Sequence, residues 1–167
     1  SLGLSADQME RYELLLETCG NKAYLFGDDI YSAPDPGEYP DYQVPAEHLT
    51  NEQFRRMIQC AEQYLGYPYV WGGSSPETSF DCSGYVSYVI NNCGNGWRVG
   101  RQTANGLLGC CTAISPTEAK PGDLIFFQGT YNTRGASHVG IYVGDGMMIH
   151  CGNPIQYASV NTSYWQE

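Results

Sequence analysis

The stretch FDCSGYV, residues 80–86, sets a cysteine at the edge of an apolar run rather than inside it. If a helix begins at Cys82, Asp81 is its N-cap and the thiol sits in the first turn. Unpaired N–H groups and the helix dipole favour negative charge there. An ordinary cysteine has a pKa near 8.5, and a helix start or a neighbouring imidazolium lowers it to roughly 3.5–7.5. Gly84 disfavours a helix interior by about 1 kcal/mol relative to alanine, so its place implies that a substrate or another backbone passes close by. A thiolate nucleophile needs a base, and the base needs an orienting group. His138 and His150 are the histidines near each other in sequence, while His48 stands apart and reads as a surface residue. Cys82, His138 and His150 together spell acyl transfer. The thiolate attacks an amide carbonyl, one of the two histidines as imidazolium protonates the leaving amine, and water deprotonated by the same ring releases the thioester. The expected resting state is a thiolate–imidazolium pair, with Cys82 the first thiol to be alkylated near neutral pH.

That chemistry requires both histidines on one face of a sheet. DLIFFQ (123–128), HVGIYV (138–143) and MMIHC (147–151) read as strands, and Ile155–Val160 as a fourth candidate. Gly144-Asp145-Gly146 marks a hairpin. A two-residue loop would pair Gly144 with Met147 and send His138 and His150 to opposite faces. A three-residue loop pairs Val143 with Met147, sets Gly140 opposite His150 and leaves His138 diagonal to it on the same face. The chemistry selects that register, through the longer loop or an equivalent bulge.

Upstream of the strands the period is helical. Ser5 and Gln8 form a capping box for a helix over 6–19 with Met9, Tyr12, Leu15, Leu16 and Cys19 on one face. Residues 21–48 carry Pro34, Pro36, Pro40 and Pro45 with five acidic side chains between Asp28 and Asp41, an extended arm or linker. Thr50 and Gln53 cap a helix bearing Phe54, Met57, Ile58, Ala61 and Leu65 that stops at Gly66. A third helix runs from Cys82 to Cys93 with Tyr85, Val86, Val89 and Ile90 on its apolar face. Helices first and antiparallel strands later give an α+β fold, helices packed on one face of an antiparallel sheet. The division is 1–48 for an N-terminal helix and acidic arm, and 49–167 for the domain that carries the chemistry.

The net charge of −10 argues against nucleic acid, whose phosphates need clustered Lys and Arg. No stretch approaches the roughly 20 apolar residues of a membrane span, and no leader-like segment is visible. Of seven cysteines at least one is unpaired in a monomer, no C-x-x-C occurs, and Cys19, Cys60, Cys93, Cys110 and Cys111 read as apolar fillers. A metal site from Cys82, His138, His150 and Cys151 is hard to close, because Cys151 and His150 point to opposite strand faces.

Taken together, YVWGG (69–73), FDCSGYV (80–86), KPGDLIFF (120–127), SHVGIYVGDG (137–146) and MMIHCG (147–152) resemble the NlpC family of bacterial cell-wall cysteine endopeptidases, over about residues 52–165. The resemblance implies a papain-like α+β fold with the nucleophile at a helix N-terminus. It implies cleavage of peptidoglycan stem peptides, usually between γ-D-glutamate and the following diamino acid. Cys82 is then the nucleophile, His138 the base and His150 the orienting third member. Tyr69 resembles a tyrosine that helps hold the oxyanion with the Cys82 N–H. Asp81 and Ser83 resemble positions that recognise the free amine of an N-terminal L-alanine. Arg101, set off from Thr103 by Gln102, is expected only in a structural ion pair. No cofactor or metal is implied. The expected protein is an extracytoplasmic monomer, secreted or cell-wall-associated in a bacterium. The competing expectation is a catalytically inactive or autoinhibited cell-wall-binding module of the same fold.

Overall fold

The computed structural model describes residues 41–129 and 134–161. The helix expected over 6–19, most of the acidic arm and Trp165 lie outside the described residues. The last part of the arm lies on the domain: Val44 is buried and the Tyr42 ring sits 4.8 Å from that of Tyr157. After a 3₁₀ turn, Ala46–Thr50, helix α1 spans Glu52–Glu62. Its N-cap is Asn51, one residue beyond the expected Thr50. The Asn51 side chain accepts from Phe54 N–H at 3.0 Å, while the Thr50 hydroxyl donates backwards to Glu47 O. Phe54, Met57, Ile58 and Ala61 are buried as expected, but α1 ends before Leu65, which is exposed.

A two-residue hairpin, β1 (Ser74–Ser75) with β2 (Ser79–Phe80), leads into α2, Cys82–Asn92. Asp81 caps α2 by accepting from Gly84 N–H at 2.7 Å, and Gly94 follows its end with φ of 82°. Tyr85, Val86, Val89 and Ile90 are all buried. The sequence reading misses a short helix, α3 (Ala104–Gly109), capped by the Thr103 side chain on Gly106 N–H. Gly106 and Gly109 hide it, since both lower helix propensity.

Four antiparallel strands complete the domain in the order β3 (Leu124–Gln128), β4 (Ala136–Gly144), β5 (Met147–Cys151) and β6 (Ile155–Ser159). The register Leu124↔Ile141↔Ile149↔Tyr157 and Phe126↔Val139 sets these side chains on one face. They join the main core with Met57, Ile58, Tyr85, Val86 and Leu107 from the three helices. The opposite face carries His138, His150 and a smaller apolar cluster of Met148, Ala158 and Val160 with Ile125 and Phe127 packed against it. No helix of the described residues is long and apolar enough to cross a membrane.

The β4–β5 turn combines the two loops weighed above. Gly144 pairs with Met147 across a two-residue Asp145-Gly146 turn, both residues at positive φ (53° and 72°) as a primed turn requires. A bulge at Val143 then shifts the register, so that Tyr142 pairs with Met148 and Ile141 with Ile149. His138 and His150 therefore share a face. The turn is clamped from the arm by His48, whose Nε2 lies 2.9 Å from Asp145 Oδ2. His48 is thus a surface residue, as expected, with a partner distant in sequence.

Gly84 proves to be a close approach of two backbones. A Cβ there would collide with Gly73 O and stand 2.9 Å from Asp81 Oδ1 and 3.1 Å from Arg101 Cζ. Helix propensity alone predicts that Gly84→Ala stabilises by about 1 kcal/mol. The packing predicts the opposite sign, a loss of about 1–3 kcal/mol as the 72–73 loop is pushed off α2. Urea denaturation of the two proteins decides between them.

Candidate active site

Where α2 begins, the sheet splits. The β4–β5 ladder runs from the turn only as far as Ile141↔Ile149. Beyond it, β4 turns its main chain to the start of α2: Cys82 Sγ lies 4.0 Å from Ser137 O, and the Val139 N–H also points to the sulfur. Cys82 thus meets β4 at the two residues flanking His138. On the sheet face opposite the main core the imidazoles of His138 and His150 meet with Nε2 and Nδ1 2.9 Å apart, their rings nearly perpendicular at 85°. That contact uses His138 Nε2 and leaves Nδ1 as the nitrogen for a second partner. Phe127 stacks at 6.0 Å from the His138 ring. Gly140 makes room for the pair, since a Cβ there would stand 3.2 Å from His150 Cβ. Cys82, His138 and His150 are all buried.

The other expected site residues surround this set. Tyr69 bridges to Phe80 through its main chain, donates its N–H to Asn153 Oδ1 at 3.2 Å, and has a buried hydroxyl. Asp81 is buried and fully engaged. Oδ1 accepts from Gly84 N–H and from the Ser83 hydroxyl, and Oδ2 from Gly72 N–H and Arg101 Nη2. Ser83 Oγ also accepts from Arg101 Nη1 at 3.0 Å. Both side chains are turned inward, and recognition of an amine by them has to compete with Arg101. The expected ion pair of Arg101 is present at 2.7 Å, and its partner is the residue next to the candidate nucleophile. Gln156 is a site neighbour that the sequence reading passes over. It pairs with His150 across β5 and β6, and its buried Nε2 lies against the His150 ring beside Gly152. Its one sequence signal is that cross-strand position. Cys151 takes the opposite face from His150 and donates its thiol to Phe80 O at 3.2 Å. Cys60 and Cys93 are buried fillers as expected, but Cys110 and Cys111 are exposed, and all six described cysteines are free. A cavity of about 910 Å³ lies along β3, lined by Leu108, Ile114, Leu124, Phe127 and Val160.

Burial overrides the helix start in setting the charges. The Cys82 thiol is pushed up to about 12, first by desolvation and then by the Asp81 carboxylate. Arg101 and the N–H groups of Ser83 and Val139 pull the other way without prevailing. Burial lowers His150 to about 4, and burial together with the neighbouring His150 holds His138 well below the ordinary histidine value. In the empty site burial thus favours the neutral thiol and the neutral imidazoles and works against a thiolate–imidazolium pair.

This arrangement makes stability depend on pH. Both histidines have folded pKa values below the unfolded value of about 6.5, so the unfolded chain binds more protons below that pH. Their contribution is fully present above about pH 6.5 and is lost as pH falls towards their folded values. Between about pH 6.5 and pH 5 His150 alone should cost the domain about 1.5 kcal/mol, with His138 adding to the loss, and a His150→Asn variant should lose less than the wild type. Equilibrium urea unfolding across this range measures both losses. Equal pH dependence of the two proteins would contradict the neutral, buried His150.

The site and the fold can be set beside known proteins. The family profile of the NlpC/P60 family matches residues 66–167. The chain is 42% identical over 145 residues to the bifunctional muramidase/DL-endopeptidase CwlT of Bacillus subtilis, covering 86% of this chain and 40% of that protein. It is 36% identical over 121 residues to the gamma-DL-glutamyl hydrolase of the same organism, covering 66% of this chain and 26% of that one. A crystal structure of a lipoprotein-like NLP/P60 family protein from Staphylococcus aureus superposes with a TM-score of 0.65 at 40% identity, over 70% of this chain and 39% of that one. The chain spans less than half the length of these relatives. A helix start that bears the candidate nucleophile, a histidine pair on the adjoining hairpin, the profile match and these identities agree: the chain belongs to the NlpC/P60 family, with its papain-like α+β fold.

Proposed function

We propose that this domain is a cysteine endopeptidase that cuts peptidoglycan stem peptides, at the bond between γ-D-glutamate and the next diamino acid. The observation that carries the reading is the His138–His150 contact at 2.9 Å on the strand whose main chain receives Cys82. The relatives named as a DL-endopeptidase and a gamma-DL-glutamyl hydrolase support the bond and the substrate class. Because these proteins act on cell-wall material, the domain works outside the cytoplasm, secreted or held at the wall.

In this reading Cys82 is the nucleophile. His138 accepts its proton at Nδ1 while Nε2–H donates to Nδ1 of His150, which fixes the ring and its tautomer. Because burial opposes separated charges in the empty site, proton transfer accompanies attack rather than preceding it. Charge then develops only when a carbonyl carbon is in place to accept the sulfur. The imidazolium protonates the leaving amine, and a water deprotonated by His138 frees the acyl group. The Cys82 N–H, at a helix start, and the Tyr69 hydroxyl are the donors for the oxyanion.

The complete burial of Cys82 favours a second reading, an inactive or autoinhibited wall-binding module of the same fold. One experiment separates the two. Muropeptides digested with the purified full chain and analysed by mass spectrometry should show new ends between γ-D-glutamate and the diamino acid. Cys82→Ala should lower that turnover on the order of 1,000-fold or more with an unchanged circular dichroism spectrum. Unchanged turnover by the variant removes Cys82 from the chemistry, and stem-peptide binding without cleavage by the wild type favours the module.

A further inference from the structure

Asp81 solves a folding problem and creates a chemical one. Its carboxylate caps α2 and holds the Gly72 N–H, yet it is a buried anion beside a sulfur that must itself become anionic. Arg101, from the loop between α2 and α3, answers that charge. Nη2 lies 2.7 Å from Asp81 Oδ2, and Nη1 donates to Ser83 Oγ at 3.0 Å and to Gln102 O at 2.8 Å. The guanidinium therefore binds both neighbours of Cys82 in sequence. Gly84 leaves space for it, since a Cβ there would stand 3.1 Å from Arg101 Cζ. A buried ion pair is weak evidence for stability by itself, because desolvating two charges offsets most of their attraction. What singles this pair out is its place, on the first turn that bears the thiol.

We propose that Arg101 is a positioning residue for the reaction: it cancels the Asp81 charge and locks the first turn of α2, so that Cys82 can turn anionic as substrate arrives. The inference rests on Cys82 being the nucleophile. The groups that face the sulfur are Asp81 and Arg101 from the helix start and its following loop, the β4 segment around His138, and Cys151 from β5. Among the influences that favour the thiolate, Arg101 is the largest. Its loss leaves the Asp81 carboxylate uncompensated beside the sulfur, and an opposite charge within about 4–6 Å shifts an ionisation by about 1–3 pH units.

The test uses no substrate. Iodoacetamide alkylation of Cys82 in the full chain, followed site by site by peptide mass spectrometry at about pH 8, tracks the thiolate fraction. Arg101→Met should slow it about 10-fold or more, and Arg101→Lys, which keeps the charge, should slow it much less. The double variant Asp81→Asn with Arg101→Met removes both charges while Asn still caps the helix, and it should recover the wild-type rate or exceed it. A merely structural pair predicts the reverse, since Arg101→Met would then loosen the first turn of α2, expose the buried Cys82 and speed its alkylation, and that result overturns the proposal. If Arg101→Met fails to fold, the lysine and double variants still decide, because a double variant slower than Arg101→Lys contradicts charge cancellation. On muropeptides, Arg101→Lys should lose kcat rather than gain KM. A wild type that cleaves no muropeptide removes the peptidase reading, while the alkylation series still judges Arg101.

Discussion

The domain hangs on the place where the first turn of α2 enters the opening between β4 and β5. Hydrogen bonds that would have continued the β4–β5 ladder past Ile141 are given up, and main-chain groups at Ser137 and Val139 face a side chain instead. An open ladder in a buried sheet leaves polar groups to be satisfied, which a helix start bearing a thiol partly does. Asp81 secures the joint from the other side by tying α2 to the 72–73 loop and to Arg101. Helix, loop and sheet are thus held by a handful of polar contacts inside an otherwise apolar interior. The identity of Asp81 and Gly84 follows from that joint as much as from any chemistry.

The same joint explains why local rules misjudge the site's electrostatics. A helix start does favour an anion, but by an amount comparable with a single surface interaction. Full desolvation of a thiol and two imidazoles is larger, and an adjoining carboxylate adds to it. Burial therefore weighs against separated charges in the empty site, and a thiol kept from ionising is also kept from oxidation, which attacks the thiolate.

Much of this was legible in the sequence, for identifiable reasons. The capping residue Asp81, the apolar stripe of α2 and the strand Met147–Cys151 are local signals, and they appear where the residues place them. The shared face of His138 and His150 was recoverable because strand parity is strict, although the turn achieves it through a bulge at Val143. What escaped depends on distance in the chain. The Gly73 carbonyl against Gly84 and the reach of Arg101 back to Asp81 join separate segments, and Gln156 meets His150 only through the β5–β6 register. Helix α3 escaped because two glycines mask it, and the exposure of Cys110 and Cys111 because residue type alone says little about burial. The depth of the site, which decides its charges, has no local signature at all.

The bulge at Val143 has a further meaning for anyone recombining this domain with its relatives. Between His138 and His150 the count of residues is a parity, and one inserted or deleted position sends an imidazole under the helices even if the hairpin still closes. Crossovers between family members are therefore safest outside that segment, for example in the exposed 111–118 stretch, where no such count is kept.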